Sequence, residues 1–298
     1  MIDQVALVFL SLQFAAQPTL NKLFNPKNAI PTASVIFTEI LKMIIAVSLL
    51  LSSKPGRVAL RKWRFFDCLY YAGIPATSYA IQNILIYTAY QNIDGLTFNL
   101  INQAKLLTTA VIAFLILGQR QTTRQMIALT CLFTSAVLAV SSGESTNQVE
   151  GNRVVGLVAV ITGTCLSGFG AVMSERAVRI SNRNSLLFSA ELGLIGLVFL
   201  TCSSLWNGEW SSIQAAGGIW LEGPGSLRGL IPGVTQALGG LVIGHVTKHS
   251  GSVKKGLAVI VGLLLTAALS SADLLMWGVA IPLAAVGIWL HSSKIHKG

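Results

Sequence analysis

Long apolar runs such as Val5–Phe14, Ile40–Leu51 and Leu106–Leu117 follow one another along the chain, separated by short polar connectors. The runs do not alternate apolar with polar positions, as the strands of a transmembrane β-barrel must. Only helices satisfy their own backbone inside lipid when the segment is continuous and open-ended. The pattern therefore predicts ten transmembrane helices, at about 4–24, 31–53, 67–90, 95–117, 123–142, 154–176, 185–206, 227–247, 254–271 and 273–291. The connectors are Asn25–Asn28, Ser52–Arg64, Gly118–Arg124, Ser141–Arg153, Arg179–Asn184 and Asn207–Arg228, while the last two spans nearly touch at Ser270–Asp273.

Composition agrees with that pattern. Hydrophobic residues make up 53% of the 298 positions and charged residues 11%, against roughly 25% charged in a soluble domain. So few charges cannot cover a water-facing surface, and the fold class is all-α polytopic membrane protein. Val5–Phe14 runs on towards Leu23 with no basic segment before it and no small-residue cleavage site, so it reads as a span rather than a secretory signal. Cys68, Cys131, Cys165 and Cys202 lie in or beside apolar segments without CxxC spacing, and are expected to be small buried hydrophobes.

Charge then orients the spans. With the N-terminus and every second connector on one side, that side collects 15 of the 21 basic residues, from Lys54–Arg64 through Lys294 and Lys297; the other holds 4, namely Lys22, Lys27, Arg153 and Arg228. Basic residues concentrate in cytosolic loops, so both termini are expected in the cytosol. The net charge of +10 is loop bias rather than a nucleic-acid footprint. Ser141–Arg153 divides the spans five and five. An odd number of spans per half makes the halves an inverted repeat, 1–143 and 154–298, joined by a lumenal connector at 144–153.

Ionisable groups inside spans are expensive unless they face protein or a water-filled cavity. Glu39, Lys42, Lys105 and Glu191 are such groups. Lys105 lies about ten residues into its span, near the midplane of a ~30 Å core, too deep for its ammonium to reach the interface. Asn102 and Thr108 or Thr109, at helical spacing, extend a polar stripe from it, which suggests a lining for an anionic solute. Glu39 and Lys42 are spaced to touch, as a neutralised structural pair or as a gating or coupling pair. Tyr79, Gln82 and Asn83 share a helix face, suited either to reading a base or sugar by hydrogen bonds or to binding a neighbouring helix. Lys255 sits at the mouth of the ninth span, where an interfacial anchor is the simpler reading. The recurring small residues, Gly163, Ser167, Gly168 and Gly170, Gly193 and Gly196, and Gly239, Gly240 and Gly244, suit close helix packing. No catalytic set, metal cluster or cofactor-binding loop is present in the sequence, so an enzyme is not expected. A homo-oligomer is compatible with the chain and not specified by it.

The polar set resembles the nucleotide-sugar transporters that carry CMP-sialic acid, UDP-galactose and UDP-N-acetylglucosamine. The likeness rests on Thr38–Lys42, Tyr79–Asn83, Asn92–Asp94 and Gln103–Lys105, and on Lys248 with Val253–Gly256. It implies a ten-helix drug/metabolite-transporter fold in the Golgi or endoplasmic reticulum membrane. It further implies exchange of a cytosolic nucleotide sugar, a UDP-sugar ahead of CMP-sialic acid, for a lumenal nucleoside monophosphate, without a cofactor. By the same resemblance Lys105 and Lys255 meet the phosphate, and Tyr79, Gln82 and Asn83 line the nucleotide end. A mobile point charge suits phosphate, and a cavity with unpaired lysines resists reorienting empty, which fits exchange. The seventh span departs from the family: its Arg-Asn-x-Gln run is absent and Glu191 stands near the glutamine position. A carboxylate there repels an anion unless protonated or paired. The other readings are a carrier of a different phosphorylated metabolite with the same fold, and a non-transporting membrane scaffold or chaperone.

Overall fold

The computed structural model describes residues 2–24, 30–141, 151–215, 218–219, 226, 229–270 and 276–292. Most of the central connector, Lys27, Arg228, the start of the tenth span and the Lys294–Lys297 tail lie outside these residues. Among the described residues the chain is helical, without strands.

The helices are α1 (Ile2–Phe24), α2 (Pro31–Ser52), α3 (Lys54–Arg61), α4 (Phe65–Cys68), α5 (Ile74–Tyr90), α6 (Gly95–Asn102), α7 (Lys105–Leu117), α8 (Thr123–Ser141), α9 (Arg153–Glu175), α10 (Ser185–Trp206), α11 (Glu209–Ala215), α12 (Leu230–Ser270) and α13 (Ile281–Ser292). Single π-helical turns at Leu69–Gly73, Arg176–Ile180 and Met276–Ala280 continue α4, α9 and the approach to α13. Among the described residues five stretches, Thr32–Ser52, Thr97–Leu117, Arg153–Ile180, Ser185–Trp206 and Leu230–Ala268, are long and apolar enough to cross a membrane. Val5, Val8 and Leu12 on α1 and Leu194, Val198 and Leu205 on α10 are exposed, which is stable where the surroundings are hydrocarbon.

Local chemistry explains the boundaries. Pro31 opens α2, where its missing N–H is harmless. The Asp94 carboxylate accepts the Thr97 N–H at 2.9 Å to start α6, and Asn184 Oδ1 accepts the Leu186 and Leu187 N–H groups to start α10. Gly118 ends α7 at φ 66°, with its N–H on Phe114 O and that of Gln119 on Ala113 O, a left-handed stop that glycine adopts without strain.

Two expected boundaries differ. The fourth span is broken at Gln103–Ala104, whose N–H groups bond three residues back, to Leu100 and Ile101. Lys105 therefore opens α7 rather than sitting inside one unbroken helix. The expected connector between the eighth and ninth spans is helical except at Gly251, at φ 86° and ψ 168°. That conformation is essentially restricted to glycine.

The described chain forms two compact units, Met1–Ala80 with Met173–Gly251, and Ile81–Val172 with Ser252–Gly298. Each draws on both halves of the sequence. In the first, Ala46, Ala190 and Leu241 form one buried cluster, and Ala72, Ala177, Val178 and Phe188 another. In the second, α7, α8, α12 and α13 share a core of Leu106, Ala110, Leu129, Leu132, Ile260 and Ala284. There the Ser135 hydroxyl donates to Ala280 O at 2.6 Å, satisfying a carbonyl in the last π turn. The four cysteines are free. Cys68 is buried as expected, but Cys131 is half-buried and Cys165 and Cys202 are exposed. A weakly polar thiol is tolerated on the outer flank of an apolar helix, so burial was not required of them.

Candidate functional site

In the first unit the Lys42 ammonium donates to Glu39 Oε1 at 2.6 Å. The pair anticipated from spacing is formed, and Lys42 is only 9% exposed. Close approach of two glycines makes room for it. A Cβ on Gly193 would lie 3.1 Å from Glu39 Oε2, and one on Gly240 2.9 Å from Lys42 Cδ. These glycines admit the ion pair as well as packing helices. The Tyr79 hydroxyl shares a hydrogen bond with Ser174 and lies within electrostatic reach of Lys42.

Glu191, also in the first unit, is 3% exposed and is an ion-pair partner rather than a lone carboxylate. Arg183 donates Nε–H to its Oε2 at 2.8 Å and Nη2–H to its Oε1. Trp63 donates its indole N–H to Oε1 at 2.9 Å. The guanidinium also lies 5.0 Å from the centre of the Tyr71 ring, and Lys248 donates to Arg183 O at 3.3 Å. Burial works against the charge of Arg183. The hydrogen bonds and charge of Glu191, with Asp67 adding to them, outweigh burial and push its pKa up. Sequence reasoning missed Trp63 and Arg183; the one available signal was that a buried glutamate needs a cation, and Arg183 in the adjacent connector is a near candidate.

In the second unit Lys105 and Lys255 lie within electrostatic reach of each other. Next to them in the chain, Gly256 packs closely on Leu106: a Cβ added to it would lie 2.7 Å from Leu106 Cδ1. The Lys105 ammonium has no hydrogen-bond or ion-pair partner among the described residues. Its neighbours do not form the expected open stripe: Thr109 and Thr108 donate to Lys105 O at 2.6 and 3.1 Å, and Thr108 also reaches Thr164 O. These hydroxyls serve the backbone beside the break at Gln103–Ala104. Asn102 is half-buried at the end of α6. Gln82 packs near Gly163, with Oε1 buried and without a partner among the described residues. Asn83 is exposed. Among the described residues no group of three or more His, Cys, Asp or Glu could hold a metal.

Fold and side chains together define a helical membrane protein in which, among the described residues, the half-buried Lys105 ammonium and the buried Gln82 Oε1 have no partner. Such groups are costly to a structure and are suited to a polar, anionic ligand. The chain belongs to the nucleotide-sugar transporter family, whose profile matches residues 1–289. It is 33% identical over 271 residues to the UDP-N-acetylglucosamine transporter ROCK1 of Arabidopsis thaliana, covering 89% of this chain and 82% of that one. It is 28% identical over 302 residues to the UDP-galactose translocator of Mus musculus, covering 97% and 74%. The UDP-N-acetylglucosamine transporter of Homo sapiens is 31% identical over 202 residues, covering 66% and 61%. These relatives are transporters and not enzymes. A crystal structure of another protein superposes with a TM-score of 0.67 over 98% of this chain and 95% of its own. At 12% identity that likeness shows the fold alone.

Proposed function

We propose that this protein is a nucleotide-sugar antiporter that moves a UDP-sugar, with CMP-sialic acid the second candidate, into the Golgi or endoplasmic reticulum lumen. The counter-substrate is the nucleoside monophosphate and the route is alternating access. Ten crossings form a five-plus-five inverted repeat, 1–143 and 154–298 about the 144–153 connector, with both termini cytosolic. The observation that carries this reading is the Lys105 ammonium, without a partner among the described residues and within electrostatic reach of Lys255, in a member of this family. A ligand bringing phosphate supplies the missing counter-charge. The names of the UDP-N-acetylglucosamine and UDP-galactose relatives favour a UDP-sugar.

In this mechanism Lys105 and Lys255 bind phosphate, and Tyr79, Gln82, Asn83 and Asn102 bind the nucleotide end. Glu39 and Lys42 exchange partners as the protein changes state. Glu191, neutralised by Arg183, couples to that change by holding Trp63 and the 181–184 connector rather than by touching the ligand.

Reconstituted vesicles preloaded with nucleoside monophosphates and offered a panel of labelled nucleotide sugars test the proposal. Preloading should accelerate uptake of at least one sugar, and Lys105→Ala or Lys255→Ala should abolish it. Uptake indifferent to preloading would overturn exchange. No uptake of any sugar by folded protein would leave the scaffold reading.

A further inference from the structure

The segment from Lys54 to Arg64 holds five basic residues, Lys54, Arg57, Arg61, Lys62 and Arg64, and no acid occurs between Ile40 and Phe66. All five are exposed. Arg57 donates to Leu51 O at 3.0 Å, closing the end of α2. The side chains of the other four have no hydrogen-bond or ion-pair partner among the described residues. Interleaved with them are exposed apolar groups: Val58, flanked at helical spacing by Lys54, Arg61 and Lys62, then Phe65 and Phe66, the latter 81% exposed.

This surface is held at the end of a membrane-length helix. Ser53 Oγ accepts the Gly56 N–H at 3.1 Å to start α3. Gly56 is buried so tightly that a Cβ there would lie 2.3 Å from Leu50 O. Helix α3 is thus pressed, backbone to backbone, against the last turn of α2, and its cations cannot drift away from the point where the chain leaves the apolar layer. Four uncompensated cations call for anions. Large aromatic side chains among them call for a partner that is apolar a few ångströms away, as the headgroup boundary of a bilayer is.

We propose that Lys54–Phe66 is a binding surface for the headgroups of anionic phospholipids in the leaflet where α2 ends. Lys54, Arg61, Lys62 and Arg64 meet headgroup phosphate and carboxylate, while Val58, Phe65 and Phe66 enter the acyl boundary. The proposal needs only that α2 spans a membrane, and it stands or falls apart from the transport reading.

The test is native mass spectrometry of the purified full-length chain titrated with phosphatidylserine, phosphatidylcholine or inorganic phosphate. A basic residue near an anionic surface strengthens binding about fivefold, so phosphatidylserine should bind at least about tenfold more tightly than phosphatidylcholine. The preference should fall below about threefold in Lys54→Gln/Arg61→Gln/Lys62→Gln, whose altered side chains touch no partner. Raising ammonium acetate from about 0.05 to 0.5 M should weaken the wild-type preference severalfold, a readout that needs no variant. Equal binding of the two lipids, a preference kept by the triple variant, or one insensitive to salt would overturn the proposal. Displacement of the lipid by millimolar inorganic phosphate would overturn it too, by making free phosphate the ligand.

Discussion

Truncating Glu191 to alanine is expected to be among the most damaging single changes in the first unit. It removes the acceptor of three hydrogen bonds, two from Arg183 and one from Trp63. The side chains of Glu191 and Arg183 are 3% and 12% exposed, so water cannot readily replace what is lost. Breaking a buried pair from one side costs about 3–5 kcal/mol, because the remaining charge stays uncompensated. At about 2–4 °C per kcal/mol, that is a fall in Tm on the order of 6–20 °C. Arg183→Ala should cost a similar amount. Glu191→Gln, which keeps an oxygen for Trp63, should cost less than either. Glu191→Leu/Arg183→Met should be more stable than either alanine variant, since no charge is left behind. Because folding raises the Arg183 pKa, its contribution is fully present below the unfolded value and is lost only as pH rises through the still higher folded one. The deficit of Glu191→Ala should therefore be constant from neutral pH to about pH 9. The assay is thermal unfolding in detergent, followed by size exclusion, for the single and double variants. Alanine variants that melt within about 1 °C of wild type, or single effects that simply add in the double variant, would refute the pairing.

Other consequences follow from the same geometry. Lys105→Met should abolish nucleotide-sugar exchange while leaving Tm unchanged or higher, because the ammonium it removes has no partner among the described residues; a lower Tm would reveal a structural role. Gln82→Leu should weaken substrate binding by about tenfold, one hydrogen bond's worth, without loss of stability, read as KM in vesicles. Gly251→Ala should destabilise by about 1–3 kcal/mol, since φ 86° is strained for any side chain and the new Cβ would stand 2.9 Å from Glu175 Oε1. Gly240→Ala should push Lys42 from its place beside Glu39, lowering Tm by several degrees for a cost of about 1–3 kcal/mol.

The positions of the helices were legible because their causes are local. Apolar run length, Pro31, Asp94, Asn184 and Gly118 each act within a turn or two, and the helical stretches begin and end close to where those residues stand. Glu39–Lys42 was legible for the same reason, since three residues on a helix bring two side chains together whatever surrounds them. Lys105 announced itself by being charged in an apolar run. Reading past that point failed where the answer depended on another element. Thr108 and Thr109 looked like part of a polar lining, but their hydroxyls donate to Lys105 O, three and four residues back at the start of α7. Gly193 and Gly240 looked like packing residues, and in the fold they frame an ion pair.

From sequence alone came an all-helical membrane chain, a family and a lysine set in an apolar run. These follow from composition, local spacing and motif order, which need no knowledge of neighbours. The tertiary structure decided what Glu191 is. Its partner Trp63 is 128 residues away in the chain, and Arg183 reaches it across a connector with no periodicity to read. The carboxylate that looked like an obstacle to an anionic ligand is a neutralised clasp, because packing brought a cation and an indole N–H to it.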